Sequence, residues 1–361
     1  MTTAPGERRP RVVIVSRVKR NPYVQLLAEG LRQPELDLDV RLEDNLSAGW
    51  VWRQRRTIDV LHLHWLELFF TYPSLGRSLK RWDSVMLGLW LARQSGVRLV
   101  YTLHNLEQHE GRRPRLARWG LRVLLHLADA VHVHDAETAA TLARDWGRTR
   151  AVHVIAHGSY VGAYPNTLTR AQARAQLGLR DDAFVYLSLG RVRPYKGLDE
   201  LIAAFGRLPA DDATLLIAGE VQDPGYERVL QQLAAADRRV QLALAFVPEE
   251  ALQVYLNASD VAVLPYRHVT TSGAAHLAFS FGVPIVAPRL GCFVELVGPH
   301  AERGLLYDAD AGADLTEALA RARDADLAAM RQACAAYAQA HDWQAIARQH
   351  AAVYARSRRG A

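Results

Sequence analysis

Cysteine is nearly missing from this chain, which has two, Cys292 and Cys334, in 361 residues. That excludes a disulfide framework, and both are expected as free thiols in a reducing compartment. Long apolar runs are missing too: "LHLHWLELFF" carries two histidines and a glutamate, and "VMLGLWLA" falls short of the ~18 residues a membrane span needs. Any membrane contact is therefore expected to be peripheral. No signal-like apolar segment stands near "MTTAPGERRP", so the expected location is cytoplasmic, at the inner face of the cell membrane. A strong charge imbalance is also lacking, since Lys+Arg at 44 against Asp+Glu at 38 gives +6. That excess favours anionic small molecules or surfaces, and no nucleic-acid partner is expected.

Half of the composition is hydrophobic, enough at this length for two cores. Short β-branched or leucine-rich runs alternate with longer helical patterns, the mark of βαβ units and parallel sheets. The first half offers strands at "RVVIVS", "DVLHLH", "RLVYTL", "AVHVH" and "AVHVIA"; the second offers "FVYLSL", "TLLIAG", "VQLALA", "VAVLPY" and "PIVAP". Between them "HGSYVGAYPN" reads as a linker, placing a boundary near residue 165. The expected domains are 1–165, 166–340 and a final helical segment, 341–361, that returns to the first.

Parallel α/β sheets bind ligands at the carboxyl ends of their strands. Those positions hold Ser16, His64, His104 with Asn105, His134 with Asp135, and His157 with Gly158 in the first half. In the second they hold Gly190 with Arg191, Gly219 with Glu220, Pro265 with Tyr266, and the loop around Arg289. Two such polar edges facing across a cleft would make a bisubstrate site.

In "LGRVRPYKGLDELIAAF" Arg191 and Lys196 flank a proline turn before a helix with Leu198, Leu201, Ile202 and Phe205 on one face. Two fixed cations beside free amides suit a diphosphate, although a basic surface loop is ordinarily just solvated. Further on, Thr271, Ser272 and Gly273 open a helix with small residues, a second phosphate cradle or simply an N-cap.

In order, "GRVRPYKGLDELIAAF", "LLIAGE", "SDVAVLPY", "TSGAAHLAFSFGVPIVAP", "GCFVELVG", "RGLLYD" and "HDWQAIARQHAAVY" resemble the donor-domain series of the GT-B glycosyltransferases, particularly the retaining family four. "VYTLHNLEQHE", "ADAVHVHDAETAATLARDWG" and "VIAHGSY" extend the resemblance to the first half. It implies two Rossmann-like domains facing across a cleft, a nucleotide-sugar donor on the second, an acceptor on the first, and neither metal nor cofactor beyond the UDP or GDP sugar. Arg191 and Lys196 would hold the donor diphosphate, with Gly190, Tyr266, Thr271, Ser272 and Gly273 about them. One departure stands out: the family's two glutamates spaced E-x7-E are missing, and Val269, Thr270 and Leu277 occupy the region. Ribose would then fall to Glu220 or Glu295, and retention against inversion stays open.

Breaking a glycosyl phosphate puts negative charge on the leaving diphosphate, where Arg191 and Lys196 would act in the transition state. His104 is the first candidate beside the sugar, with His64, Trp65, Asn105 and Glu107 on the acceptor side; a tryptophan after a strand is otherwise core. His62 with His64, and His132 with His134, alternate as zinc ligands can, but they equally describe buried strand positions, and no metal site is expected. In "GRRPRLARWGLRVLLHLADA" an apolar stripe of Leu116, Trp119, Val123, Leu124 and Leu127 lies beside Arg115, Arg118 and Arg122, suited to an anionic membrane or a lipid diphosphate, or to packing on the sheet with solvated arginines. The expected activity is hexosyl transfer to a glycan, glycolipid or lipid-linked acceptor in exopolysaccharide or cell-surface glycan assembly. The alternatives are a nucleotide-sugar epimerase or hydrolase and an inactive nucleotide-sugar-binding protein.

Overall fold

The computed structural model describes residues 8–18, 21–106, 113–309 and 314–355, and it divides the chain into two compact units. Unit 1 comprises Met1–Gly158 with His341–Ala361; unit 2 is Ser159–Ala340. The division thus falls ahead of residue 165, because the linker-like stretch is already tied down within unit 2. There Tyr160 N donates to Ser280 Oγ at 2.8 Å, and Thr167 N donates to Gln253 Oε1 at 2.8 Å.

Unit 1 holds a six-stranded parallel sheet of β1 (Arg11–Val15), β2 (Asp39–Glu43), β3 (Val60–His64), β4 (Arg98–Thr102), β5 (Ala130–Val133) and β6 (Val152–Val154), ordered β2-β1-β3-β4-β5-β6. Alternation sends Leu61, Leu63, Leu99, Tyr101, Val131 and Val133 into one core. Val12, Ile14, Val60, Val100 and Ala130 enter the other, under the helices Tyr23–Leu31 and Trp343–Ala355. These helices approach so closely that a Cβ on Gly30 would stand 2.5 Å from the Trp343 carbonyl oxygen. Ile346 and Val353 lie buried there, each worth roughly 1.5–3 kcal/mol.

Unit 2 repeats the plan with β7 (Phe184–Leu189), β8 (Ala213–Ala218), β9 (Val240–Ala243), β10 (Val261–Val263), β11 (Ile285–Pro288) and β12 (Gly304–Tyr307), ordered β12-β11-β10-β7-β8-β9. Leu198, Leu201, Ile202 and Phe205 of the helix Leu198–Gly206 fill one of its cores. The strand reading missed β2 and β12. Both are edge strands; β2 alternates charge with half-burial, and β12 has four residues with a glycine at its start.

Candidate functional site

In unit 2 the strand order reverses between β7 and β10, which opens a crevice at their carboxyl ends. β7 runs into Gly190 and Arg191, β8 into Gly219 and Glu220, and β10 toward Pro265 and Tyr266. Gly190 and Gly219 have φ of +120° and +147°, and a Cβ on Gly219 would collide with the Gly190 carbonyl. Only glycine admits that approach. Lys196 closes the turn Pro194–Lys196 and is 9% exposed, its Nζ 5.1 Å from the centre of the Tyr266 ring. The same Nζ is 3.3 Å from where a Cβ of Gly190 would stand. A largely buried ammonium is thereby fixed beside bare backbone, a point charge suited to phosphate. Arg191 is exposed.

Arg267, which the sequence reading passed over, joins the two loops. Its backbone N donates to Tyr195 O at 2.8 Å, and its guanidinium donates to Pro194 O at 2.7 Å, Asp199 Oδ2 at 2.9 Å and Glu200 Oε1 at 2.7 Å. The signal was there: an arginine just past a strand in "PYRH" and a "DE" pair opening the helix that follows Lys196. Ser272 caps the helix Gly273–Ser280 by accepting from Ala275 N at 3.2 Å, and its side chain also bonds Tyr266. Thr271 and Gly273 are half-buried beside it. Glu220 is half-exposed after β8, whereas Glu295 is exposed in the first turn of the helix Cys292–Val297. Where the two carboxylates were looked for, Val269 instead packs its backbone and side chain against Gly291, and Leu277 is partly buried on the unit 2 core.

In unit 1 His104 follows β4 and is 4% exposed. Its ring stacks on Trp65 with centres 3.8 Å apart and planes 9° from parallel, and its Nε2 lies 2.9 Å from His64 Nδ1. One face of Trp65 is therefore covered by an imidazole. Asn105 is exposed, and Glu107 lies outside the described residues. His104 accepts a proton at Nδ1 only in the tautomer that donates Nε2–H to His64. Burial first, then the neighbouring histidines, holds His104 well below the ordinary imidazole range, so it is neutral. Burial likewise lowers His134 to about 4 and His157 to about 3. Asp135 is spent as an N-cap, accepting from Thr138 N at 2.7 Å. Tyr23 had no signal in the sequence, yet its ring touches His64, Trp65, His104, His134, His157 and Trp343.

In the helix Pro114–Leu127, Leu124 of the expected apolar stripe is buried and Leu116, Val123 and Leu127 pack on the unit 1 core, so the stripe is corrected at Trp119. The buried face of the helix is Ala117, Gly120, Leu121, Leu124 and Leu125, whereas Trp119 is 66% exposed. The helix is rotated because Gly120 sits on Phe70, where a Cβ would come within 2.5 Å of Cζ. Trp119 is left beside Arg115, Arg118 and Arg122, the latter two over the Trp146 ring at 5.2 Å and 5.9 Å. A cavity of about 250 Å³ under this helix is lined by Leu66, Phe70, Tyr101 and Leu121 with Glu67, Arg115 and Arg118. No helix among the described residues is long and apolar enough to cross a membrane.

The family model described as glycosyl transferases group 1 matches residues 169–341. A GDP-mannose:glycolipid 4-beta-D-mannosyltransferase of Xanthomonas campestris is 29% identical over 306 residues, 80% of this chain and 78% of that one. Among solved structures, a sucrose-phosphate synthase from Thermosynechococcus elongatus superposes with a TM-score of 0.73 at 22% identity, covering 96% of this chain and 98% of the other. HepE from Anabaena, in complex with UDP, also reaches 0.73 at 18% identity, covering 95% and 98%. The last two likenesses speak to the fold.

Proposed function

We propose that the chain is a GT-B hexosyltransferase, its second unit similar to the glycosyl transferases group 1 family, that moves mannose from GDP-mannose to a glycolipid acceptor. Unit 2 takes the nucleoside diphosphate. Lys196, held between Gly190 and Tyr266 at the reversal of strand order, is the observation that carries this reading. A buried cation stabilises the leaving diphosphate more as its charge grows, which lowers the barrier. Arg191 adds a second cation from the exposed side, and Ser272 and Gly273 bring the amides of a helix N-terminus.

The donor base and the acceptor rest on the Xanthomonas relative, whose name specifies GDP-mannose, a glycolipid and a β-mannoside. A β-mannoside made from an α-linked mannosyl phosphate requires inversion. Inversion needs a group to take the proton of the acceptor hydroxyl, and His104 Nδ1 is the candidate. A lipid-borne acceptor agrees with Trp119 exposed among Arg115, Arg118 and Arg122, and with an apolar cavity that carries two of those arginines. Neither an epimerase nor an inactive binder is favoured, since the relative of comparable length is a transferase.

The test is a melting-temperature panel with GDP, UDP, ADP and their sugars, followed by transfer of labelled mannose from GDP-mannose to a glycolipid extract. GDP alone should stabilise the protein, Lys196→Ala should abolish that stabilisation, and label should enter the lipid phase. Stabilisation by UDP in place of GDP would overturn the donor. GDP binding without lipid-phase label would overturn the acceptor.

A further inference from the structure

Side chains that fill the faces of a parallel sheet are ordinarily apolar, because a buried polar atom without a partner costs about 1–3 kcal/mol. Unit 1 nonetheless buries His62 on β3, His132 on β5 and His350 on the helix Trp343–Ala355, none with any exposed surface. One nitrogen from each lies within 4.8 Å of the others. The ring centres stand 4.3 Å apart for His132 and His350, and 5.4 Å for His62 with either.

Their hydrogen bonding is lopsided. His62 is held on both sides, Nδ1 2.7 Å from Tyr354 Oη and Nε2 2.7 Å from Thr102 Oγ1. Among the described residues, His132 and His350 have no hydrogen-bond partner on either ring nitrogen. Apolar residues would fill this space at no such cost, so the three imidazoles call for a ligand that accepts nitrogen lone pairs. The zinc pairs that sequence spacing offered, His62 with His64 and His132 with His134, are split by the structure: His64 turns to His104 and His134 to Ile155 O at 3.1 Å. The third ligand comes from a helix more than 200 residues away, which no spacing rule would find.

We propose that His62, His132 and His350 form a structural zinc site that fastens the C-terminal helix to the sheet of unit 1. Three imidazoles suit zinc and disfavour calcium or magnesium, which require oxygen ligands. His62 binds through one nitrogen and keeps a hydroxyl partner on the other, the outer hydrogen bond that fixes a ligand's orientation. Tyr354, one turn from His350, places its hydroxyl oxygen 2.7 Å from His62 Nδ1, an oxygen at hand for a fourth position. With no ligand atom exposed, the ion has no open position for substrate, and its role is to couple metal binding to folding.

The experiment measures zinc released by guanidinium from the full chain after dialysis against EDTA. About one zinc per chain is expected, and none from folded His132→Leu or His350→Leu. A second arm avoids variants: the native sequence is stripped in guanidinium and refolded with zinc or with EDTA. Zinc should raise the melting temperature, and cobalt in its place should give the visible absorption of a nitrogen-ligated ion. Zinc absent from the native protein with melting unchanged on refolding, or zinc retained by folded His132→Leu,His350→Leu, would overturn the proposal.

Discussion

The two units share a six-stranded parallel sheet and keep different polar groups inside it. Unit 1 buries neutral rings: His62, His64, His104, His132, His134, His157 and His350 are all covered, and burial dominates the lowering of each pKa. Unit 2 buries charge: Arg174, 1% exposed, donates to Asp260 Oδ2 at 2.9 Å, and the same oxygen accepts from Val185 N at 2.8 Å. Arg170 and Arg331 reach the same aspartate or its carbonyl. Asp260 precedes β10, at the end of the sheet opposite the crevice. Unit 2 thus spends its buried charge on folding at one end and places Lys196, largely buried, beside the crevice at the other. Unit 1 has no such separation, since the rings that pack its sheet face include those at its strand ends.

The severest break of this contrast is Asp260→Ala. It leaves Arg174 buried without its carboxylate, and loss of one partner of a buried pair costs about 3–5 kcal/mol. Hydrogen exchange followed peptide by peptide should show unit 2 losing protection while unit 1 keeps it. Equal loss in both units would mean that they do not unfold separately.

Acid should do the converse. His104 and His157 stay neutral when folded, His157 with a pKa near 3, whereas an unfolded histidine titrates near 6.5. Below about pH 6.5 the unfolded chain takes up protons that the native chain refuses, so stability falls with pH, by about 1.4 kcal/mol per group per unit. Between pH 6.5 and 5.5, where the unfolded imidazoles go from half to about nine-tenths protonated, two such groups give about 2 kcal/mol. All eight tryptophans lie in unit 1, so their fluorescence reports that unit alone. An acid transition seen by tryptophan above pH 5, ahead of loss of protection in unit 2, is expected. A flat tryptophan signal down to pH 4 would show that these imidazoles are reached by water.

The sequence carried the parts whose signal is local. Ten strands were legible as apolar runs, and Gly190, Lys196 and Ser272 were legible at strand and helix ends. What it did not carry was distant pairing. His350 and Tyr23 meet the histidines only through folding, and Trp119 left the expected stripe because Gly120 packs on Phe70 from a separate segment. The missing glutamates were plain in the sequence, but the packing of Val269 on Gly291 in their place was not.

The gentlest probe of the contrast is Arg267→Ala. Its guanidinium is half-exposed, so its ion pairs with Asp199 and Glu200 should contribute under about 1 kcal/mol to folding. Its larger effect should be on the site, because Arg267 holds the Lys196 turn against the loop that carries Tyr266. Loosening that turn weakens donor binding in the ground and transition states alike, so KM for the nucleotide sugar should rise several-fold with kcat little changed. Arg267→Lys should rescue only part of this, since an ammonium cannot span Pro194 O and two carboxylates as the planar fork does. Were kcat to fall with KM constant, Arg267 would instead be acting on the leaving diphosphate in the transition state. The crevice would then hold three working cations, with Arg267 counted among them.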